Sequence, residues 1–306
     1  MAKKVTKKKV ASKKKRATKK ASGKKRSKKK TSGSLLDEQL GEDEGGLFLV
    51  IHAHEGMGKT SFAGQFEDPI YIVDAQEKGV QVLKKRGLLP KDTPVLSVDA
   101  GFDPENDDST DVTGEGWLRL LEMCDKLLVE DHGRKTAVFE TMTGFQTMVF
   151  LYAAEKEFGG DFTATGFFSY QQGQDIVRTK YWPVFMGKLE DIRASGMNVI
   201  LTAHSQIKTH TEPGEESVDR HIPFCDRRIW KLCARQATAV LFMHDFLNIE
   251  KQRGKKAKAT DNIRLIQTTR TAVADAKNWL GLPETIDAGE SAEEAYENFM
   301  GALNEV

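Results

Sequence analysis

LFLVIHAHEGMGKTS, residues 47–61, is the stretch from which the rest of the chain is read. It opens on an apolar run, Leu47, Phe48, Leu49, Val50 and Ile51. Such a run is the pattern of a strand buried on both faces of a parallel sheet. A turn holding Gly56 and Gly58 follows, and Lys59, Thr60 and Ser61 stand at the head of a predicted helix. This is the layout of a phosphate-binding P-loop: backbone N–H groups cradle phosphates, the lysine reaches the β- and γ-phosphates, and the hydroxyl faces Mg²⁺. Glu55, Gly56, Met57, Gly58, Lys59, Thr60 and Ser61 are therefore the candidate nucleotide-binding residues. One position departs from G-x-x-x-x-G-K-[ST], because Ala53 stands where the first glycine belongs. Alanine tolerates a positive φ less well than glycine, so the turn must be entered at a compatible angle, with Gly56 supplying freedom inside the loop. A chance Gly-Lys-Thr at a helix start is the competing explanation, and the strand before it argues against that.

The composition divides the chain. The first thirty residues carry 17 Lys+Arg and no acid, while the remainder holds the other 29 basic and all 45 acidic residues, a net of −16 beneath an overall +1. Residues 1–34 are low-complexity Lys, Arg, Ala, Ser and Thr, too poor in apolar surface to fold alone. A tail of this kind binds DNA or RNA through phosphate neutralisation, without reading sequence, or else stays solvated against the protein's own acidic body. Residues 35–46 form an acidic linker ending in Gly46. Cys124, Cys225 and Cys233 show no C-x-x-C spacing, so reduced thiols are expected rather than a disulfide framework or a zinc site. No apolar run reaches membrane-spanning length. The expectation is a soluble cytoplasmic or nucleoid-associated protein without a membrane partner.

Downstream, acids and polar residues fall at the ends of predicted strands. Ile70–Asp74 is followed by Gln76 and Glu77, Thr136–Glu140 ends in a carboxylate, and the run 197–203 ends in His204, Ser205 and Gln206. Ligands of open α/β sheets bind at the carboxyl ends of strands. A second carboxylate beyond a P-loop suits Mg²⁺ held through water, here with Glu140 one methylene longer than the usual Asp. A polar residue at the next strand tip can sense the γ-phosphate and pass its state to a following loop, expected over residues 208–219. Phe162, Phe167, Phe168 and Tyr170 lie in a Gly- and Gln-rich segment, and could stack on bases or tuck into the core. A hairpin is predicted around the basic tip 251–258, and Ala292, Ala295, Tyr296, Phe299, Met300 and Leu303 describe a closing amphipathic helix.

Taken in order, AHEGMGKTS, IVDAQE, AVFETMTG, VILTAHSQIK and TRTAVADAKNWLGLPE resemble the phage-type RecA-like P-loop ATPases, a group that includes proteins of single-strand DNA annealing and recombination. The resemblance covers residues 47–284. It implies an α/β fold: a RecA-like P-loop NTPase core with a mostly parallel sheet flanked by helices, preceded here by a disordered basic tail. It also implies ATP and Mg²⁺ as ligands, with Lys59 on the nucleotide and Thr60 and Glu140 at the metal. Gln76 falls in the register of the water-activating glutamate and Glu77 one residue on. His204 matches the strand-tip histidine of the group and Gln206 the sensing glutamine of the wider class. Lys277, in Ala276-Lys277-Asn278-Trp279, is the candidate for a lysine acting across a subunit interface.

The expected organisation is a tail (1–34), a linker (35–46), an ATPase domain (47–289) and a C-terminal helix packed on it (290–306). The expected activity is Mg²⁺-dependent ATP hydrolysis coupled to non-specific contact with nucleic acid, single-stranded DNA foremost, with Lys59, Glu77, Glu140, His204 and Gln206 as catalytic candidates. Sites of this class are commonly completed between copies in a ring or filament. The alternatives are a nucleotide-binding DNA module with little hydrolysis, and an NTPase whose nucleic-acid contact is confined to its tail.

Overall fold

The computed structural model describes residues 45–99, 113–211, 217–250 and 258–306. The basic tail, nearly all of the acidic linker and the basic tip 251–257 lie outside the described residues.

In chain order the elements are β1 (Phe48–Ala53), α1 (Lys59–Ala63), β2 (Pro69–Asp74), α2 (Gly79–Arg86), β3 (Val95–Val98), α3 (Glu115–Val129), β4 (Thr136–Glu140) and α4 (Met142–Phe158). There follow α5 (Gln172–Ile176), α6 (Trp182–Ala194), β5 (Asn198–His210), β6 (Val218–Pro223), α7 (Arg227–Gln236), β7 (Ala239–Glu250), β8 (Lys258–Gln267), β9 (Lys277–Asn278), β10 (Thr285–Asp287) and α8 (Ala292–Asn304). The strands lie in the order β10-β8-β7-β1-β5-β4-β2-β3, with β6 paired to β5 and β9 to β7. β1 runs parallel to both β5 and β7, and β2, β3 and β4 continue the parallel set. β8 and β10 close the other side antiparallel.

This central position explains why β1 is apolar throughout. Phe48 and Val50 face one core with Phe139, Leu201, Trp182 and Phe185, while Leu49 and Ile51 face a second with Phe62, Tyr71, Val138 and Phe299. Helices cover both faces, so period-two alternation has no solvent side to report. α8 is fixed at its N-terminus and along its buried face. Ser291 caps it by accepting from Glu294 N, and Phe299 packs edge-on against Phe62 of α1 at a centroid distance of 5.7 Å. Full burial of a phenylalanine of this kind contributes roughly 1.5–3 kcal/mol.

Two local expectations are corrected. The strand predicted over 197–203 continues to His210, because residues 205–210 pair antiparallel with 218–223. The ends of the expected loop 208–219 are thus strand, Lys208–His210 pairing with Val218–Arg220, while residues 212–216 lie outside the described set. The first arm of the predicted hairpin is the far end of a longer strand, β7, which begins at Ala239. A π-helical turn, Val177–Tyr181, leads without a break into α6, with Pro183 at the start of α6. The aromatic-rich segment packs inward: Phe167 is fully buried and its ring meets Phe150, Phe158, Phe162 and Phe168, leaving Tyr170 exposed.

Candidate nucleotide-binding site

The carboxyl ends of β1, β2, β4 and β5 meet on one edge of the parallel set, and the polar residues that follow them converge there. Gly56 and Gly58 take φ of 78° and 88°, the left-handed region that glycine enters without penalty. Ala53 does not: it remains the last residue of β1, paired with His204. The substitution at the first motif glycine therefore carries no backbone strain, since the positive φ angles fall later in the turn.

Lys59 is 6% exposed, and its Nζ donates to Ala53 O at 3.0 Å and His54 O at 3.1 Å. Burial lowers its pKa, opposed by the charges of Glu140, Glu55 and Glu77. Thr60 Oγ1 donates to Glu140 Oε1 at 2.5 Å, joining the P-loop helix to the tip of β4 across the intervening strand β5. The Glu140 carboxyl is pushed up to about 7, mainly by burial. Its second oxygen, Oε2, is buried with no partner among the described residues. Tyr71 Oη donates to Thr60 O at 2.8 Å from beneath, steadying the turn.

The third arm comes from β2 and β5. Glu77 Oε1 accepts from His204 Nε2 at 2.9 Å and from Thr141 Oγ1 at 3.4 Å. The histidine bond is the main reason the Glu77 carboxyl is held below its ordinary value. On the other side of the imidazole, His204 Nδ1 stands 3.3 Å from Glu55 Oε1. These residues border two adjoining cavities. The larger, about 460 Å³, runs from Lys59, Thr60, Glu140 and His204 to Val82, Arg86 and Leu88 on the α2 side. The smaller, about 250 Å³, is lined by Asp74, Gln76, Glu77, Thr143, His204 and Phe224 among others.

A magnesium ion suits these residues. Mg²⁺ takes hard oxygen ligands, keeps several waters, and is held by one or two protein oxygens together with phosphate rather than by an all-protein cage. Thr60 Oγ1 beside an unpartnered buried carboxylate oxygen is that kind of donor set, and no group of three or more His, Cys, Asp or Glu forms a cage among the described residues.

The structure thus brings Glu55, Gly56, Gly58, Lys59, Thr60, Ser61, Glu77, Glu140 and His204 to one cavity. Met57 instead packs against the core on the α1 and α8 side. Gln206 is not among the lining residues of either cavity; its Nε2 donates to Pro223 O on β6 at 3.2 Å. Lys277 is also elsewhere. Its Nζ donates to the carbonyls of Ala234, Arg235 and Ala237 at the C-terminal end of α7, and it lies 3.1 Å from the centroid of the Trp279 ring. Two participants escaped the sequence reading. Thr141 bonds Glu77, and Gly144 admits the Asp74 carboxylate so closely that a Cβ there would fall 1.9 Å from Asp74 Oδ2. The N-cap position directly after a strand-end acid hints at Thr141, whereas only strand order could have paired Gly144 with Asp74.

The model of the AAA_24 family, described as an AAA domain, matches residues 46–280. The chain belongs to that family. The AAA domain here has the RecA-like P-loop fold, with a mostly parallel sheet between helices. It is a P-loop ATPase domain, a kind that takes a nucleotide and typically Mg²⁺. Among solved structures, the chain is similar to the flagellar accessory protein FlaH from Methanocaldococcus jannaschii, at 13% identity over 79% of this chain and 84% of that one, with a TM-score of 0.40. It is similar also to a KaiC-like protein from Pyrococcus horikoshii OT3, at 13% identity over 81% and 88%, with a TM-score of 0.36. No curated protein matches the sequence. Among the described residues, no helix is long and apolar enough to cross a membrane.

Proposed function

We propose that this domain is a Mg²⁺-dependent ATPase of the phage-type RecA-like group, acting on DNA in single-strand annealing, recombination or repair. The observation that carries the reading is the Glu77 carboxylate, oriented by His204 at 2.9 Å on the rim of the cavity that also holds Lys59, Thr60 and Glu140. In hydrolysis, Glu77 orients a water for in-line attack on the γ-phosphate and accepts its proton. The His204 bond occupies Oε1 and leaves Oε2 for that task. Lys59 offsets the charge that develops on the phosphate oxygens, the kind of electrostatic stabilisation that supplies most of phosphoryl-transfer catalysis. Thr60 and Glu140 would hold Mg²⁺, which when bound neutralises charge on the phosphate chain.

The route to DNA follows β5. His204 O accepts from Phe224 N at 2.7 Å, and Gln206 holds Pro223 O. A change at the His204 ring would therefore reach the segment leading into α7. Residues 1–34 would add sequence-independent contact with the phosphate backbone, and a second copy in a ring or filament would complete the assembly.

Steady-state ATP hydrolysis with Mg²⁺, with and without single-stranded DNA, tests the reading in the wild type and Lys59→Ala. Turnover that needs Lys59 and rises with DNA is expected. Turnover indifferent to single strands, double strands and RNA would remove DNA from the proposal. Deleting residues 1–34 then separates binding by the tail from binding by the body.

A further inference from the structure

The residues considered so far come from β1, β2, β4, β5 and the turns that follow them. Another cation reaches the P-loop from a different part of the sheet. Arg264 lies on β8, directly across from Asp245 on β7. A side-chain carbon built on Gly58 would stand 4.0 Å from Arg264 Nη1, so the guanidinium approaches the glycine that precedes α1 from just outside the residues that line the larger cavity.

This guanidinium is under-committed. Its ion pair is Nε to Asp245 Oδ1 at 4.0 Å, beyond hydrogen-bond length, and Nε is buried without a partner among the described residues. Leaving a buried donor unsatisfied costs about 1–3 kcal/mol, more for a charged group. A loosely paired surface arginine would point its charge into water instead, and this side chain is only 34% exposed. Its planar fork of donors matches a pair of oxygens on one anion, such as two of a phosphate, and can bind them bidentately.

We propose that Arg264 is a nucleotide-binding residue whose guanidinium donates to an oxygen of the phosphate chain seated at Gly58. The proposal rests on the nucleotide reading of the P-loop and extends it to β8. It makes the β7–β8 hairpin a reporter of nucleotide occupancy, since the same guanidinium faces Asp245 and the phosphate.

The test is calorimetric titration of the full chain with Mg·ATP and, separately, with Mg·tripolyphosphate, for wild type, Lys59→Ala, Arg264→Gln and Arg264→Lys. Arg264→Gln is expected to raise Kd for both ligands by about 10- to 100-fold, the loss of a charge-assisted pair. Arg264→Lys, which keeps the charge but loses the fork, is expected to recover part of that. Thermal midpoints check that each variant is folded, and Arg264→Lys carries the test if Arg264→Gln is not. Unchanged binding of both ligands in a folded Arg264 variant, with Lys59→Ala impaired, overturns the role of Arg264 while leaving the P-loop reading intact. A loss confined to ATP overturns the phosphate assignment in favour of a base or ribose contact. A wild type that binds neither ligand overturns the nucleotide reading itself.

Discussion

Two polar corners of this domain look alike in composition and differ in what they leave uncommitted. At the strand-tip corner, Lys59 gives two hydrogen bonds to backbone carbonyls, while Glu140 Oε2 has no hydrogen-bond partner among the described residues. At the corner between β6, α7 and β9, Lys277 spends all three of its donors on carbonyls at the end of α7. There too Asp275 gathers Arg220 at 2.6 Å and Trp230 Nε1 at 2.9 Å, and its backbone oxygen accepts from His52 Nε2 at 2.7 Å. Arg220 Nε apart, these groups are absorbed in holding elements together. A lysine in a motif-like stretch is thus diagnosed by the donors it has left over, and by that measure Lys59 is available to a ligand and Lys277 is not.

The largest effect expected from this contrast is at Lys59. Lys59→Ala should lower kcat/KM for ATP by more than about 100-fold, the scale of removing a preorganised donor to developing charge. If Lys277→Met falls as far, the contrast is wrong and Lys277 acts on a phosphate of a neighbouring copy. Next is Glu77→Gln, which keeps the shape and removes the base. It should cut kcat by about 10²–10⁴ with ATP affinity retained, and single-turnover kinetics beside a binding titration would separate the two. An equal loss of affinity would recast Glu77 as a binding residue.

The third effect is on stability and belongs to the other corner. Burial lowers the His52 pKa from 6.5 to about 4 in the folded chain. The unfolded chain therefore takes up a proton first, so the stability from a neutral His52 is complete above pH 6.5. It is lost progressively as pH falls toward about 4, a change of about 3 kcal/mol. Glu140, with a raised value, acts in the opposite sense, so the wild type is to be compared with His52→Gln by denaturant melts from pH 7.5 to 4.5. The variant should start less stable and, with the opposing Glu140 contribution left alone, gain on the wild type as pH falls, so that the gap between the two closes. A constant gap would show that the corner does not hold His52 neutral. The smallest effect is at Lys277. Lys277→Met should cost about 0.3–1 kcal/mol, the worth of a cation at a helix C-terminus, read as a drop of a few degrees in Tm with ATP turnover kept.

These corners also divide what could be read from the chain. The P-loop was legible because it is a local device, in which strand, turn glycines, lysine and hydroxyl follow one another within fifteen residues. The apolar strands and the amphipathic α8 were legible for a related reason, since side-chain spacing follows directly from the geometry of each element. The strand-end acids could be placed at the correct edge of the sheet by the same logic. Local pattern fails where a strand's partner is remote. Residues 205–210 carry no sign that they extend β5, because their hydrogen bonds are supplied by 218–223.

By itself, then, the sequence determined that a phosphate cradle follows a doubly buried strand in an α/β sheet, and which acids and histidine could stand near it. Strand order and register decided the rest. Placing β5 between β1 and β4 sets His204 beside Ala53 and lets it reach Glu77 across a separation of 127 residues. Laying β8 against β7 brings Arg264 to Gly58, and the packing of β9 under α7 turns Lys277 into a helix cap. Such meetings depend on which strands are neighbours and which faces their residues present. Both are set by burying the whole chain at once, a condition that no short window of sequence contains.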